Sequence, residues 1–524
     1  MNHTSEKEKQ AILRKGWVRT VSLEPPTLHD NTSDADRLKY ALKKKLNTDS
    51  VDMDLKILKQ LSFSLREWNY AVRCVLVKDK NRWIVTGIDA PNSKRVMSGL
   101  AIDLGTSRVV LRLVDLTTGS ISSDLAFDNP QLAVGPDILS RVHSCDQPGG
   151  LEKLNQLIVE GLNQHIEKIC QACGLTADDI YLVSLSGNTC MTHLFMNLSP
   201  HWIIREPYIP VINTPGLERT SELGLHVNPC ARIIIFPNIG SYFGGDLVAG
   251  ILYSGMHQSE QTSILVDVGT NAEVVLGNTN WLIACAGAAG PALEGGVTRM
   301  GMMAGPGVID QVAIDPESNE IHIHTIAEEP PVGICGSGLI DLAAQLFLAG
   351  MIDIRGKFVS QKCGDRLSKE SGIFTFEVVP AETSGTHAAI TISQVDLDSL
   401  IRSKAAMYTI LETITTTVNL SPQDLTTFYV AGTFGAFIKP VSAVSIGMLP
   451  DLSAENYQSL GNSSLQGAAK VLTSCDSLDE IERIRDKITY LELNVNQEFM
   501  NRFSAAKFLP HTNRALFPSV TGKP

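Results

Sequence analysis

The sequence predicts an α/β protein of two similar halves, preceded by a small α+β module. Three observations carry that expectation. The first is a repeated segment. Leu100-Ala-Ile-Asp-Leu-Gly-Thr-Ser-Arg108 and Ile264-Leu-Val-Asp-Val-Gly-Thr-Asn-Ala-Glu273 each read as an apolar strand running into Asp-x-Gly-Thr, followed by a β-branched stretch. Each is a tight hairpin with glycine at its tip, where backbone N–H groups can approach an anion. Asp103 and Asp267 end the two strands and are suited to holding a Mg²⁺-bound water. Two such hairpins suggest two halves gripping one nucleotide, with Gly105, Thr106, Ser107, Gly269, Thr270 and Asn271 at the phosphates. The second observation is the alternation of short apolar strands with amphipathic helices from Gly99 onward. The third is length: 524 residues exceed one ordinary core, so two or three domains are expected.

Taken in order, residues 1–30 read as a lead-in. It includes a short alternating strand, Val18 to Leu23, and an extended exit at Pro25-Pro26. Residues 31–95 form the α+β module. A helix runs from Asn31 to Leu46 with Ser33 or Thr32 as N-cap, and a second from Asp54 to Leu65. Two strands follow, Ala71–Lys78 and Asn81–Asp89. The first half, about 99–258, then runs three strands, a helix over Leu151–Cys173 with Gly174 as its stop, a strand from Tyr181 into another helix, and the buried strand Arg232–Phe236. The second half, about 259–510, starts near Thr262. Gly333-Ile-Cys-Gly-Ser-Gly-Leu-Ile-Asp341 reads as a glycine turn onto a helix, with Gly336, Ser337 and Gly338 placed to present N–H groups to an anion; a plain loop-to-helix turn is the alternative. A helix over Asp398–Thr416 follows, and a strand and helix from Tyr490 to about Pro510 precede a tail at 511–524.

Composition bounds the function classes. No apolar stretch approaches the length of a membrane span, and Met1–Arg19 lacks the apolar core of a signal peptide, so a cytoplasmic protein is expected. The ten cysteines are scattered, unlike a secreted disulfide framework. Cys170-Gln-Ala-Cys173 lies on an apolar helix face, which favours packing over a metal or redox role. Cys285 and Cys335 stand in glycine-rich loops, where a small side chain fits. The net charge is −12, but residues 1–97 hold 19 Lys and Arg against 12 Asp and Glu. That basic part could face an acidic partner or be a solvated helix face. There is no aromatic-interleaved basic stripe or zinc spacing, so nucleic-acid binding is not expected.

The duplicated hairpin resembles the superfamily of actin, sugar kinases and heat-shock chaperone ATPases, which implies an actin-like (ribonuclease H-like) ATPase fold. The resemblance implies an adenosine-closing element at Phe428-Tyr-Val-Ala-Gly-Thr-Phe-Gly-Ala-Phe437, with Gly432, Thr433 and Gly435 facing the purine. It also places Asp246, in Ile239-Gly-Ser-Tyr-Phe-Gly-Gly-Asp246, where sugar kinases carry their catalytic base; a simple N-cap is the alternative. With Asp246, the carboxylates Asp103 and Asp267 complete the catalytic set expected here.

A closer resemblance follows from Ser186-Gly-Asn-Thr189, Phe236-Pro-Asn-Ile239, Asp267-Val-Gly-Thr-Asn271, Ala289-Gly-Pro-Ala-Leu-Glu-Gly295, Gly333-Ile-Cys-Gly-Ser-Gly338, Gly447-Met-Leu-Pro450 and Gly461-Asn-Ser-Ser464. These strings resemble the RACo-like, ATP-dependent reductive activators of corrinoid proteins, over nearly the whole chain. Residues 1–30 resemble that family's linker, 31–95 its middle domain and 99 onward its ATPase domain. The resemblance implies ATP and Mg²⁺ as cofactors, a corrinoid protein as partner, and promotion of Co(II) to Co(I) reduction; it leaves a homodimer open. The family usually opens with a plant-type [2Fe–2S] ferredoxin domain, C-x₄-C-x₂-C…C. No such pattern stands here, since no cysteine precedes Cys74. No iron–sulfur cluster is therefore expected, and a separate ferredoxin or reductase is expected as donor. Gly301-Met-Met-Ala-Gly-Pro-Gly307 also lacks an arginine common in the family, so weak ATP turnover is one expectation. The competing readings are a nucleotide-dependent binding or chaperone-like protein and an activator of the 2-hydroxyacyl-CoA dehydratase kind. The latter needs two glycine-flanked cysteines per chain, which cannot be assigned here. A sugar kinase fits least.

Overall fold

The computed structural model describes residues 15–268, 272–287, 298–315, 317–432, 439–491 and 497–520. They form two compact units. Residues up to Tyr253 together with Ser463–Asp486 make the first, and Ser254–Asn462 with Lys487 onward make the second.

The first unit opens with the α+β module. Strands β1 (Val18–Ser22), β2 (Val51–Met53), β3 (Ala71–Asp79) and β4 (Arg82–Asp89) form one sheet in the order β1-β3-β4-β2. Helices Asp34–Leu46 and Leu55–Glu67 bury Leu38, Leu42, Ile57, Leu61 and Leu65 in the core they share with that sheet. Of the two expected caps, Ser33 is the N-cap and accepts from the Asp36 N–H at 3.1 Å. Lys43, Lys44 and Lys45 occupy the last turn of the same helix, where cations complement the helix dipole. The short strand β2 was not expected. Three residues are too few to show a period, and only pairing with Trp83–Val85 makes them a strand.

The body of the first unit is a six-stranded sheet of β5 (Ser98–Leu104), β6 (Arg108–Asp115), β7 (Ile121–Asp128), β8 (Ile180–Gly187), β9 (Leu217–Arg219) and β10 (Arg232–Ile235). Its order is β7-β6-β5-β8-β10-β9. β5 pairs antiparallel with β6 and parallel with β8, and β8 pairs parallel with β10. Helix Gly150–Ala172 buries Leu154, Ile158, Leu162, Ile166 and Cys170 in this core. Burial pushes the Cys170 thiol up to about 12, away from reactive thiolate chemistry.

The second unit repeats the plan with β11 (Ser263–Val268), β12 (Ala272–Gly277), β13 (Leu282–Gly287), β20 (Thr427–Ala431) and β21 (Tyr457–Gly461). The order is β21-β20-β11-β12-β13, with a final strand β22 (Ile488–Tyr490) beside β13. β11 is antiparallel to β12 and parallel to β20, which is parallel to β21. Both units thus set a hairpin strand at the sheet centre, its own hairpin on one side and two parallel strands on the other. The expected two-half α/β architecture is present as a repeated topology.

Two three-stranded sheets in the second unit were not expected: β14 (Val308–Ile314), β15 (Ile321–Thr325) and β16 (Gly333–Ile334), and β17 (Leu367–Glu370), β18 (Ile373–Val379) and β19 (Ile390–Ser393). The long helix begins at Gln394, four residues before the expected start, because Ser393 and Asp396 form a capping box. Past Pro510 the chain still packs into the core: Phe517 is buried against Tyr408, their rings 5.3 Å apart. Helices Ser463–Thr473 and Asp476–Lys487 follow β21; the second belongs to the first unit as far as Asp486, and so does the whole of the first. It buries Leu465, Ala468, Val471 and Leu472 in that unit, an apolar face its stripe alone cannot assign to either half.

Candidate functional site

In the first unit the expected phosphate hairpin is the turn between β5 and β6. A Cβ built on Gly105 would stand 2.4 Å from the Arg108 carbonyl oxygen, so the turn closes only around glycine. Asn129 Nδ2 donates to Gly105 O at 2.9 Å, and Asn129 N donates to Ser107 O at 2.8 Å. Asn188 Nδ2 donates to Thr106 Oγ1 at 3.1 Å. Thr106 is half-buried and Ser107 exposed, so the turn offers its backbone on one side and is braced on the other.

Asp103, the penultimate residue of β5, is half-buried and lies in register with Val110 and Ser186. Ser464 Oγ donates to Asp103 Oδ1 at 2.7 Å and stands 2.8 Å from Ser186 Oγ. Neither serine was assigned a role from sequence, although both stand in strings that marked the resemblance. The signal that could have found them is a serine facing the carboxylate from the next parallel strand. The second partner comes from far along the chain.

Asp246 lies one residue inside the first turn of helix Gly245–Ser254, not at its N-cap, and Asp246 Oδ1 accepts from Leu247 N at 2.9 Å. The Gly244 backbone packs directly against Gly187 and Asn188, so Asp246 stands at the C-terminal end of β8. Helix Ser463–Thr473 connects this helix to Asp103. Its Ser464 holds Asp103, its Gly467 packs against the Ala249 backbone, and Lys470 Nζ donates to Leu252 O at 2.8 Å.

In the second unit Asp267 takes the place in β11 that Asp103 takes in β5. It is half-buried and lies in register with Glu273 and Ala431. Gly432 follows β20 with φ +85°, and a Cβ there would stand 2.9 Å from Asp267 Oδ1. The strand expected to close over adenosine therefore ends against the hairpin carboxylate, at a residue that must be glycine. Gly269, Thr270, Asn271, Thr433 and Gly435 lie outside the described residues.

Gly336, Ser337 and Gly338 begin helix Gly336–Leu348, but all three are buried. A Cβ on Gly338 would stand 2.3 Å from Ile309 O, and Ser337 Oγ is 3.1 Å from Cys335 Sγ. At these three residues the packing matches the plain loop-to-helix reading. Further along the helix, Asp341 is buried; it accepts from Val312 N at 2.7 Å, from Ser442 Oγ and from Lys439 Nζ at 3.1 Å. Burial likewise raises the Cys285 thiol well above its usual range. Among the described residues, no group of three or more His, Cys, Asp or Glu side chains is placed to hold a metal ion. No helix among them is long and apolar enough to cross a membrane.

Comparison with known proteins adds family to geometry. Three family profiles match in sequence: the RACo linker region over residues 10–95, the RACo middle region over 98–259, and the C-terminal domain of RACo, the ASKHA domain, over 261–521. The α+β module at 31–95, expected to be the family's middle domain, thus falls in its linker region, and the middle region is the first half. A solved structure, a reductive activator for corrinoid, iron–sulfur protein, is 35% identical and superposes with a TM-score of 0.86. It covers 99% of this chain, and this chain covers 85% of it. The chain belongs to the RACo family of reductive activators of corrinoid proteins. Two curated relatives agree. The corrinoid activation enzyme RamQ of Eubacterium limosum is 29% identical over 483 residues, 90% of this chain and 79% of the relative. The [Co(II) methylated amine-specific corrinoid protein] reductase of Methanosarcina barkeri is 24% identical over 442 residues, 77% of this chain and 76% of the relative. The actin-like fold expected from the hairpins is thus also the fold of the matched family.

Proposed function

We propose that this RACo-family chain is an ATP-dependent activator of a corrinoid protein, promoting Co(II) to Co(I) reduction in a methyl-transfer system. One observation carries the reading. The strand order around β5 recurs around β11, each with an aspartate at the hairpin strand's end, in a chain that RACo profiles match almost throughout. In this reading Gly105, Thr106 and Ser107 of the first hairpin, and Gly269, Thr270 and Asn271 of the second, hold phosphates. Asp103, fixed by Ser464, and Asp267, beside Gly432, orient Mg²⁺-bound water. Gly432, Thr433 and Gly435 face adenosine, and Asp246 is the candidate base for water attack. Bound Mg²⁺ neutralises phosphate charge. Gly336, Ser337 and Gly338 are kept as phosphate-side backbone only if their buried turn opens.

ATP drives reduction by linkage. A nucleotide that binds two conformations unequally shifts their populations, and a corrinoid partner that prefers one of them is shifted with it. The electron comes from a separate low-potential ferredoxin or reductase, because the ten cysteines of these 524 residues include no C-x₄-C-x₂-C pattern. For the same reason no iron–sulfur cluster belongs to these residues. The setting is cytoplasmic, and residues 31–95 are the module that precedes the two ATPase halves and shares the first compact unit with the first of them.

The test is an anaerobic spectroscopic assay with a corrinoid protein encoded beside this chain, a ferredoxin and its reductant. Co(I) should accumulate only with Mg-ATP, donor and this chain together. Complex formation without ATP-dependent Co(I) would instead support a nucleotide-dependent binding protein.

A further inference from the structure

Arg141 belongs to no motif in the sequence, yet it lies directly beneath the first hairpin turn. It stands on helix Ile138–Cys145 and is 0% exposed. Its Nη2 donates to Thr106 O at 2.7 Å, its Nε to Gly135 O at 2.9 Å, and its Nη1 to Gln131 Oε1 at 3.1 Å and Met191 Sδ at 3.2 Å. None of these acceptors carries a charge. Arg73, Arg112 and Arg232, also buried, each pair with a carboxylate: Asp89, Asp124 and Asp54. Among the described residues Arg141 has no such pair. Asp137, at the N-cap of its own helix, turns its carboxylate to the Ser140 N–H at 2.8 Å and acts on Arg141 only through space, without an ion pair.

A buried guanidinium stays charged and is costly without a counter-ion. The place of this one supplies a reason. It grips the carbonyl of Thr106, and across a trans peptide the following N–H points the opposite way. The Ser107 N–H is thereby turned from Arg141 toward the exposed side of the hairpin. A hydrogen bond from a charged donor also polarises the peptide it holds, so the charge is felt through that N–H. We propose that Arg141 is a positioning residue for the nucleotide's polyphosphate, aiming the Thr106–Ser107 peptide at it and supplying the charge the phosphates complete. This rests on the nucleotide site proposed above.

The test compares ATP, ADP and AMP affinities of the full chain and of Arg141→Met and Arg141→Lys by calorimetry. Arg141→Met should weaken ATP at least tenfold, about 1.4 kcal/mol. AMP should change less than about twofold, since it lacks the β- and γ-phosphates, and the salt dependence of ATP binding should flatten. Arg141→Lys, which keeps the charge, should recover part of the loss. ATP and AMP weakening together, or ATP unchanged, would overturn the proposal. Should Arg141→Met not fold, the Arg141 Nε–H resonance of the parent decides: it moves on adding tripolyphosphate, and an unmoved resonance at saturation overturns the proposal. A parent that binds ATP but yields no Co(I) sinks the corrinoid reading and leaves Arg141 standing. A parent that yields Co(I), with Arg141→Met binding ATP normally, sinks Arg141 alone.

Discussion

Asp103 and Asp267 could be picked out from sequence because each follows an apolar strand and precedes Gly-Thr, a local pattern. Ser464 could not, because its bond to Asp103 spans 361 positions and no local pattern announces it. Arg141 was equally hidden, since its partners are two backbone carbonyls, a side-chain amide and a thioether. Asp267→Ala should abolish Mg-dependent ATP binding while the circular dichroism spectrum and melting temperature stay near those of the parent; unchanged binding would refute the duplicated-hairpin argument. Ser464→Ala frees one side of the Asp103 carboxylate. A hydrogen bond to a charged group contributes about 1.5–3 kcal/mol, so a loss of that order is expected in denaturant unfolding, with weaker Mg-ATP binding beside it. His193 supplies a pH prediction. It is buried, its Nδ1 lies 2.7 Å from Thr189 O, and its Nε2 accepts from Val211 N at 3.1 Å. Nε2 must therefore be unprotonated, and burial lowers the imidazole pKa from 6.5. A pKa depressed in the fold gives stability that is full above pH 6.5 and is lost as pH falls toward and through the native value. Hydrogen exchange at Val211 and Ile212, whose N–H groups both donate to Nε2, corrected for intrinsic rates, should accelerate selectively as pH falls below 6.5. Uniform behaviour across the loop would count against this.

At the scale of elements, long helices and central strands were legible because a period of 3.6 or a run of β-branched residues repeats often enough to read. Of the strands that escaped, β9 and β16 have three and two residues, while β14 and β18, seven residues each, are the centres of small three-stranded sheets that no repeated pattern announces. Helix Ser463–Thr473 shows a different limit. Its amphipathic face is plain, but a stripe cannot say which sheet it covers. In the structure it crosses helix Gly245–Ser254 so closely that a Cβ on Gly467 would stand 2.2 Å from Ala249 O. Backbone cannot yield as a side chain can, so Gly467→Ala should destabilise the first unit by about 1–3 kcal/mol. The Ser464–Asp103 bond should loosen with it, visible as weaker Mg-ATP binding and a lower melting temperature. A variant as stable as the parent would show that the two helices can separate without cost.

For the whole molecule, the repeated strand order was foreseeable from two hairpins, but the route of the chain was not. The sequence reading places the division between halves near residue 258 and keeps everything beyond it together. The structure divides at Tyr253 and returns Ser463–Asp486 to the first unit. Trp17 shows how far this reaches: fully buried, it donates from Nε1 to Val471 O at 2.8 Å, across 454 positions. A fragment of residues 1–259 should therefore be aggregated or molten, with the face of β5 and β8 uncovered. Adding a peptide of residues 460–488 should restore a cooperative unfolding transition. A fragment that unfolds cooperatively alone would contradict this account.

That route bears on how the protein is made. A ribosome releases the first unit's strands early, yet the helix that completes their core, and the serine that holds Asp103, emerge only after nearly all of the second unit. The usual order, in which an N-terminal domain finishes before the next begins, is closed to this chain. Its early half must wait with an apolar sheet face bare, a natural client for a holding chaperone. Nascent chains arrested before residue 463 should be protease-sensitive throughout strands β5 to β10, and become resistant only once Asp486 has cleared the exit tunnel.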